Sequence, residues 1–140
     1  MRCEVRFNHG MSFTGIGETG HGVLMDTKAE AGGSDAAATP KELVLHALGG
    51  CTGMDVVSIL RKMRVSPASF RVVIEAELQE EAPRAFLAAH LEYQFEGQDL
   101  PLESLQRAVE LSQDKYCSVS HTLRKGMALS WSITVNGEKK

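Results

Sequence analysis

Thr39-Pro40-Lys41-Glu42 opens the segment that most limits how this chain can fold. Thr39 can cap a helix, Pro40 suits the first helical position, and Glu42 can complete a capping box. The helix is expected to run to about Arg64, ahead of Ser66-Pro67. At 1.5 Å per residue it would be about 37 Å long. Between Leu43 and Leu60 it carries Leu43, Val44, Leu45, Leu48, Met54, Val56, Val57 and Ile59. These residues nearly encircle the axis, and such a helix is covered on most sides. Its longest uncharged stretch, Leu43 to Met54, is 12 residues, which is too short to span a bilayer.

Strand-like segments flank this helix. Cys3, Val5 and Phe7 alternate with Arg2, Glu4 and Arg6, the pattern of a half-buried strand with Cys3 packed inward. Gly10, Gly15, Gly17, Gly20 and Gly22 then break the chain into short apolar pieces, as in a meander or hairpins. Residues 27–38 are small and featureless and read as a mobile loop, either a lid or a plain connection. Beyond the helix, Phe70, Val72, Ile74, Ala76 and Leu78 alternate with polar residues, as do Ala89, Leu91, Tyr93 and Phe95. Pro101 opens a second helix with Leu102, Leu105, Val109 and Leu111 on its core face, continuing to about Tyr116. A short helix follows, ending near Gly126. A last strand carries Met127, Leu129, Trp131, Ile133 and Val135 on one face. Strands separated by two long helical segments define an α+β fold, and residues 1–140 are expected to form a single domain.

The chain has 140 residues, 43% of them apolar and 24% charged, with a net charge of −3. That balance is globular and offers no basic surface for nucleic acid or anionic lipid. Met1-Arg2-Cys3-Glu4-Val5 has no apolar signal core, so the expected location is the cytoplasm. There, three cysteines read as thiols rather than as a structural disulfide framework.

Cys51 lies mid-helix in Gly49-Gly50-Cys51-Thr52-Gly53. Three interior glycines cost about 1 kcal/mol each against alanine. Something should compensate, either close approach of another element or access to the sulfur. A buried, inert thiol fits the composition equally well. Cys117, in Tyr116-Cys117-Ser118-Val119-Ser120-His121, falls where the chain kinks into a new helix. A helix N-terminus there would favour its thiolate. Two other chemistries share these residues. Gly49–Gly53 fits G-x-C-x-G, with Asp114 and His121 following in hydrolase order, but a nucleophile elbow needs a strand before it. Cys51, Cys117, His46 and His121 could bind zinc, but no C-x2-C pair is present and Cys117/His121 is the single i,i+4 pair.

Thr39-Pro40-Lys41-Glu42-Leu43 through Gly50-Cys51, and Arg107-Ala108-Val109-Glu110-Leu111-Ser112 through Lys115-Tyr116-Cys117-Ser118-Val119, resemble the OsmC/Ohr family of thiol-dependent peroxidases. Its bacterial branch typified by YhfA carries stretches similar to Val56-Val57-Ser58-Ile59-Leu60 and Glu80-Glu81-Ala82-Pro83-Arg84. The resemblance implies a strongly curved antiparallel sheet around two central helices in an intertwined homodimer, with active sites at the subunit interface. It implies that Cys51 attacks a hydroperoxide and that Cys117 resolves the sulfenic acid to a disulfide, which an external dithiol reduces. No cofactor or metal is required.

The family's peroxidases activate the attacking cysteine with an N-terminal arginine held by a glutamate before the central helix. Here no arginine lies between Arg6 and Arg61. Glu42 and His21 are the candidate supporting residues, although capping and turn packing account for them as well. Without a cation, a sulfur on an apolar helix face has its pKa raised. The expected function is therefore a cysteine-based hydroperoxide reductase. A small-ligand binding or redox-sensing protein on the same fold is the alternative.

Overall fold

The computed structural model describes residues 1–140, which fall into two compact parts, Met1–His46 and Ala47–Lys140. The first contains β1 (Cys3–His9), β2 (Ser12–Gly17) and β3 (Gly22–Met25), an antiparallel sheet in chain order. Gly10 and Gly20 occupy left-handed backbone at φ +56° and +80°, where a side chain would be strained. The alternation in β1 is present, with Phe7 opposite Phe13 and their rings 5.4 Å apart. Its expected half-burial is not: every β1 residue is exposed, and Cys3 is an exposed free thiol rather than a packed one. No element of its own part covers that face.

The segment after β3 is tied down, in contrast to the mobile loop expected from its composition. The buried Asp26 carboxylate accepts hydrogen bonds from the Thr27, Ser34 and Ala36 N–H groups at 2.8, 3.0 and 3.2 Å. A single 3-10 turn, Ala29–Ala31, lies inside the latch. Gly33 is required there, because a Cβ would fall 1.9 Å from the Thr27 carbonyl oxygen.

The helix α1 (Pro40–Lys62) starts where expected and belongs to both parts. The Thr39 N–H and hydroxyl donate to Glu42 Oε2 at 2.7 and 2.8 Å, and the Glu42 N–H donates back to Thr39 Oγ1 at 3.3 Å. This is a complete capping box. At 23 residues α1 is, by length and composition, long and apolar enough to cross a membrane, unlike the 12-residue uncharged stretch within it. Its buried residues form one stripe, Leu48, Thr52, Val56 and Leu60. Met54 stays 74% exposed, so the encircling cover expected from its composition is only partly supplied.

In the second part β4 (Ser69–Leu78), β5 (Phe86–Glu96), β6 (Ala128–Val135) and β7 (Glu138–Lys139) form a sheet in that order. The alternating residues face inward as expected, with Leu91, Tyr93 and Phe95 fully buried. Tyr93 lies opposite Val72 on one side and Ile133 on the other. β5 and β6 run parallel, which departs from the all-antiparallel sheet expected; the other pairs are antiparallel. The helical crossover between them, α2 (Leu102–Leu111), a π-helical turn (Ser112–Tyr116) and α3 (Ser118–Leu123), returns the chain to the starting end, which makes the pairing parallel. Gly49 of α1 answers part of the glycine question: a Cβ there would meet Ile74 Cδ1 of β4 at 3.0 Å.

The three N–H donors hold the Asp26 carboxyl below its ordinary range. The latch is therefore fully formed above the unfolded carboxyl pKa of ~3.9 and is lost as pH falls through the lower folded value. Asp26→Ala should remove it at every pH. Hydrogen exchange at neutral pH should find the Ser34 and Ala36 amides protected in wild type and rapidly exchanging in the variant.

Candidate functional site

The stripe that α1 buries contains one polar member, Thr52, with no exposed surface. Thr52 Oγ1 lies 2.6 Å from Tyr93 Oη and 2.8 Å from Ser112 Oγ. Gln113 Nε2 donates to Tyr93 Oη at 2.6 Å and to Thr52 Oγ1 at 3.2 Å, and Arg124 Nη2 donates to Gln113 Oε1 at 2.8 Å. The Ser112 hydroxyl also donates to Asp55 Oδ2 at 3.1 Å. Thr52, Ser112 and Gln113 are all fully buried, and no buried side-chain polar atom in the chain lacks a partner. Burial pushes the Tyr93 phenol up to about 12, against the opposing hydrogen bonds from Thr52 and Gln113.

This network joins the two thiol-bearing segments. Cys51 precedes Thr52 on α1. The Ser112 carbonyl accepts the Cys117 N–H at 2.8 Å, closing the π-helical turn. The result brings together the Cys51 and Cys117 sulfurs and an Asp55 carboxylate oxygen, all within 4.8 Å of one another. Cys51 and Asp55 are half-buried and Cys117 is fully buried. These three are the group of ligand-type side chains that could hold a metal ion.

Cys117 caps α3 as expected from its kink. Its sulfur accepts from the Ser120 N–H at 3.4 Å and the Ser120 hydroxyl at 3.1 Å. The expected thiolate stabilisation does not prevail. Burial raises the thiol above its ordinary value, the neighbouring Cys51 raises it further, and the Ser120 donors offset only part of this.

Asp55 was not singled out from the sequence. Its signal is the i,i+4 spacing from Cys51, which puts both on one helix face; a search for histidine ligands and C-x2-C pairs passes over it. His121 is exposed, and its Nε2 donates to the Asp114 carbonyl at 3.1 Å, while the Asp114 carboxylate lies 3.9 Å from Arg124. No His–carboxylate relay of the hydrolase kind exists there, and Cys51 sits inside a helix rather than at a strand-to-helix turn. His46 is exposed. Glu42 is committed to the cap of α1, and the Thr39 bonds hold its carboxyl below the ordinary range. His21 is exposed just before β3.

The model of the OsmC-like protein family matches residues 32–132, so the chain belongs to the OsmC family. Protein YhfA of Escherichia coli K12 is 40% identical over 135 residues, covering 96% of this chain and 98% of that protein. A protein solved by structural genomics superposes with a TM-score of 0.86 at 38% identity, covering 96% of this chain and 98% of the other. An organic hydroperoxide resistance protein OsmC from Legionella pneumophila shares the fold, with a TM-score of 0.70, 15% identity and 96% coverage of both chains.

Thr52→Val keeps the volume of the residue and removes the hydroxyl at the centre of the network. Weakening the Tyr93, Ser112 and Gln113 interactions should cost roughly 1–3 kcal/mol, read as a lower urea midpoint at unchanged slope. A midpoint equal to wild type would mean that the network adds nothing to stability.

Proposed function

We propose that the chain is a thiol-dependent peroxidase that reduces organic hydroperoxides or hydrogen peroxide through Cys51 and Cys117. The observation that supports this most is the approach of the two sulfurs, with Cys51 the more accessible and Cys117 buried beside it. The Cys51 thiolate attacks the O–O bond. An S–O bond forms, the alcohol or water leaves, and Cys51 becomes a sulfenic acid. The Cys117 sulfur then attacks that sulfur, water leaves, and a Cys51–Cys117 disulfide remains. An external dithiol returns both to thiols by exchange. A reducing compartment such as the cytoplasm suits this cycle, since it supplies the reductant and keeps the resting thiols reduced.

A second reading is favoured by the burial of Cys117. No cation stands in the cluster of Cys51, Asp55 and Cys117, and burial raises the Cys117 thiol above its ordinary value. A slow site of this kind suits a redox sensor, which oxidises once and stops, or a non-catalytic binding protein. Turnover separates the readings. With excess dithiol the peroxidase consumes many equivalents of organic hydroperoxide, and Cys51→Ser abolishes this; a single equivalent consumed identifies the sensor. If Cys51→Ser removes peroxide as fast as wild type, both redox readings are lost. In the Cys51→Ser background, alkylation of Cys117 should have its pH midpoint above the free-thiol value of ~8.5, because burial remains when the neighbouring thiol is gone.

The chain is further proposed to work as a homodimer. On β1–β3, Val5, Phe7 and Val23 are 56%, 62% and 47% exposed. An apolar cavity of about 390 Å³ opens among Val5, Met11, Phe13 and Met25. A second copy would cover surface of this kind, which monomers rarely leave bare. Sedimentation should give a dimer for wild type and a shift toward monomer for Phe7→Asp; a wild-type monomer at micromolar concentration would refute the assembly.

A further inference from the structure

We propose that the reduced chain binds one Zn²⁺ ion through Cys51 Sγ, Cys117 Sγ and a carboxylate oxygen of Asp55. The inference does not depend on peroxide chemistry, because it uses only the resting thiols.

Geometry is the first argument. A tetrahedral zinc with Zn–S near 2.3 Å and Zn–O near 2.0–2.2 Å holds its ligand atoms roughly 3.5–3.8 Å apart. The three atoms already lie within 4.8 Å of one another, so small side-chain rotations complete the set. Cys51 and Asp55 stand one turn apart on α1, a single rigid element. Cys117 approaches from the end of the π-helical turn, fixed by the bond from its N–H to the Ser112 carbonyl.

The surrounding donors are the second. Metal ligands are oriented by groups that hydrogen-bond to them from outside. Ser112 Oγ donates to Asp55 Oδ2, leaving Oδ1 free of that bond, and Ser120 donates twice to the Cys117 sulfur. Both serines are fully buried. The network of Thr52, Tyr93 and Gln113 in turn fixes Ser112.

Donor chemistry selects the metal. Two sulfurs and one carboxylate suit zinc and disfavour magnesium and calcium, which take oxygen ligands. Binding converts two thiols to zinc thiolates and releases two protons, so charge balances. Three protein ligands leave a fourth position for water. Oxidation of the two thiols to a disulfide abolishes the site, so metal and disulfide are mutually exclusive occupants of the same sulfurs.

Cobalt(II) is the direct probe, added anaerobically to reduced protein in a Cys3→Ser background that removes the third thiol. The expected result is one equivalent bound per chain, with a thiolate-to-cobalt charge-transfer band and the intense visible bands of tetrahedral cobalt, both displaced by zinc. Alkylation of the thiols should abolish them. Asp55→Asn should weaken zinc by at least about tenfold, the lower end of the loss seen even for outer-shell changes. Should that variant fail to fold, Asp55→His decides the matter. It should bind cobalt with a shifted visible spectrum, because a nitrogen has replaced an oxygen ligand. Absence of the charge-transfer band overturns the proposal. So does Asp55→Asn with wild-type affinity, or Asp55→His with a spectrum identical to wild type, since either would show a bare dithiol at work.

Discussion

A single threonine hydroxyl inside an apolar helix stripe governs the arrangement of the second part. Leu48, Thr52, Val56 and Leu60 recur every four residues along α1 and are all buried. Three of them accept almost any apolar neighbour. Thr52 does not, because a buried hydroxyl without a partner is costly and its partners are fixed. Tyr93 comes from β5 and Ser112 from the start of the π-helical turn. Sliding α1 by one turn would set Leu48 or Val56 against that site and leave the hydroxyls and the Gln113 amide without Thr52. Apolar packing makes α1 adhere; the polar node fixes where it stops.

The thiol pair follows from that register. Cys51 is next to Thr52, and Ser112 closes the turn that ends in Cys117. The residue that satisfies the buried threonine therefore also anchors the second thiol. Close approach of the sulfurs is thus a consequence of the hydrogen bonds that satisfy Thr52, Ser112 and Gln113 between the two segments. Asp55 is drawn into the same node through the Ser112 hydroxyl.

Much of this fold was legible because local rules suffice for it. The capping box of Thr39 and Glu42, the alternation in β4, β5 and β6, and the kink that makes Cys117 a cap each depend on a few neighbouring residues. Features set at a distance were not legible. The parallel pairing of β5 with β6 depends on where a crossover of some thirty residues returns. The Asp26 latch gathers N–H groups up to ten residues away in a segment whose composition looks flexible. The exposure of β1 cannot be read from an alternating pattern, which records the face that should be covered and not what covers it. Asp55 escaped because its partners are a serine and a cysteine about sixty residues on. The motif resemblance supplied the pairing of Cys51 with Cys117, which spacing alone left open.

The chemistry of the site turns on how negative charge is removed from it. Two thiolates and a carboxylate within 4.8 Å of one another would repel strongly in a partly buried setting. Protons on the sulfurs relieve the repulsion, and burial of Cys117 favours that state. A disulfide relieves it by removing both sulfur charges at once. A dication relieves it while keeping the thiolates. The arginine that the resemblance leads one to expect would be a fourth solution, and the sequence between Arg6 and Arg61 contains none. With no arginine from that stretch, the site is left with the three neutralised states, and the proposed peroxide cycle passes between two of them.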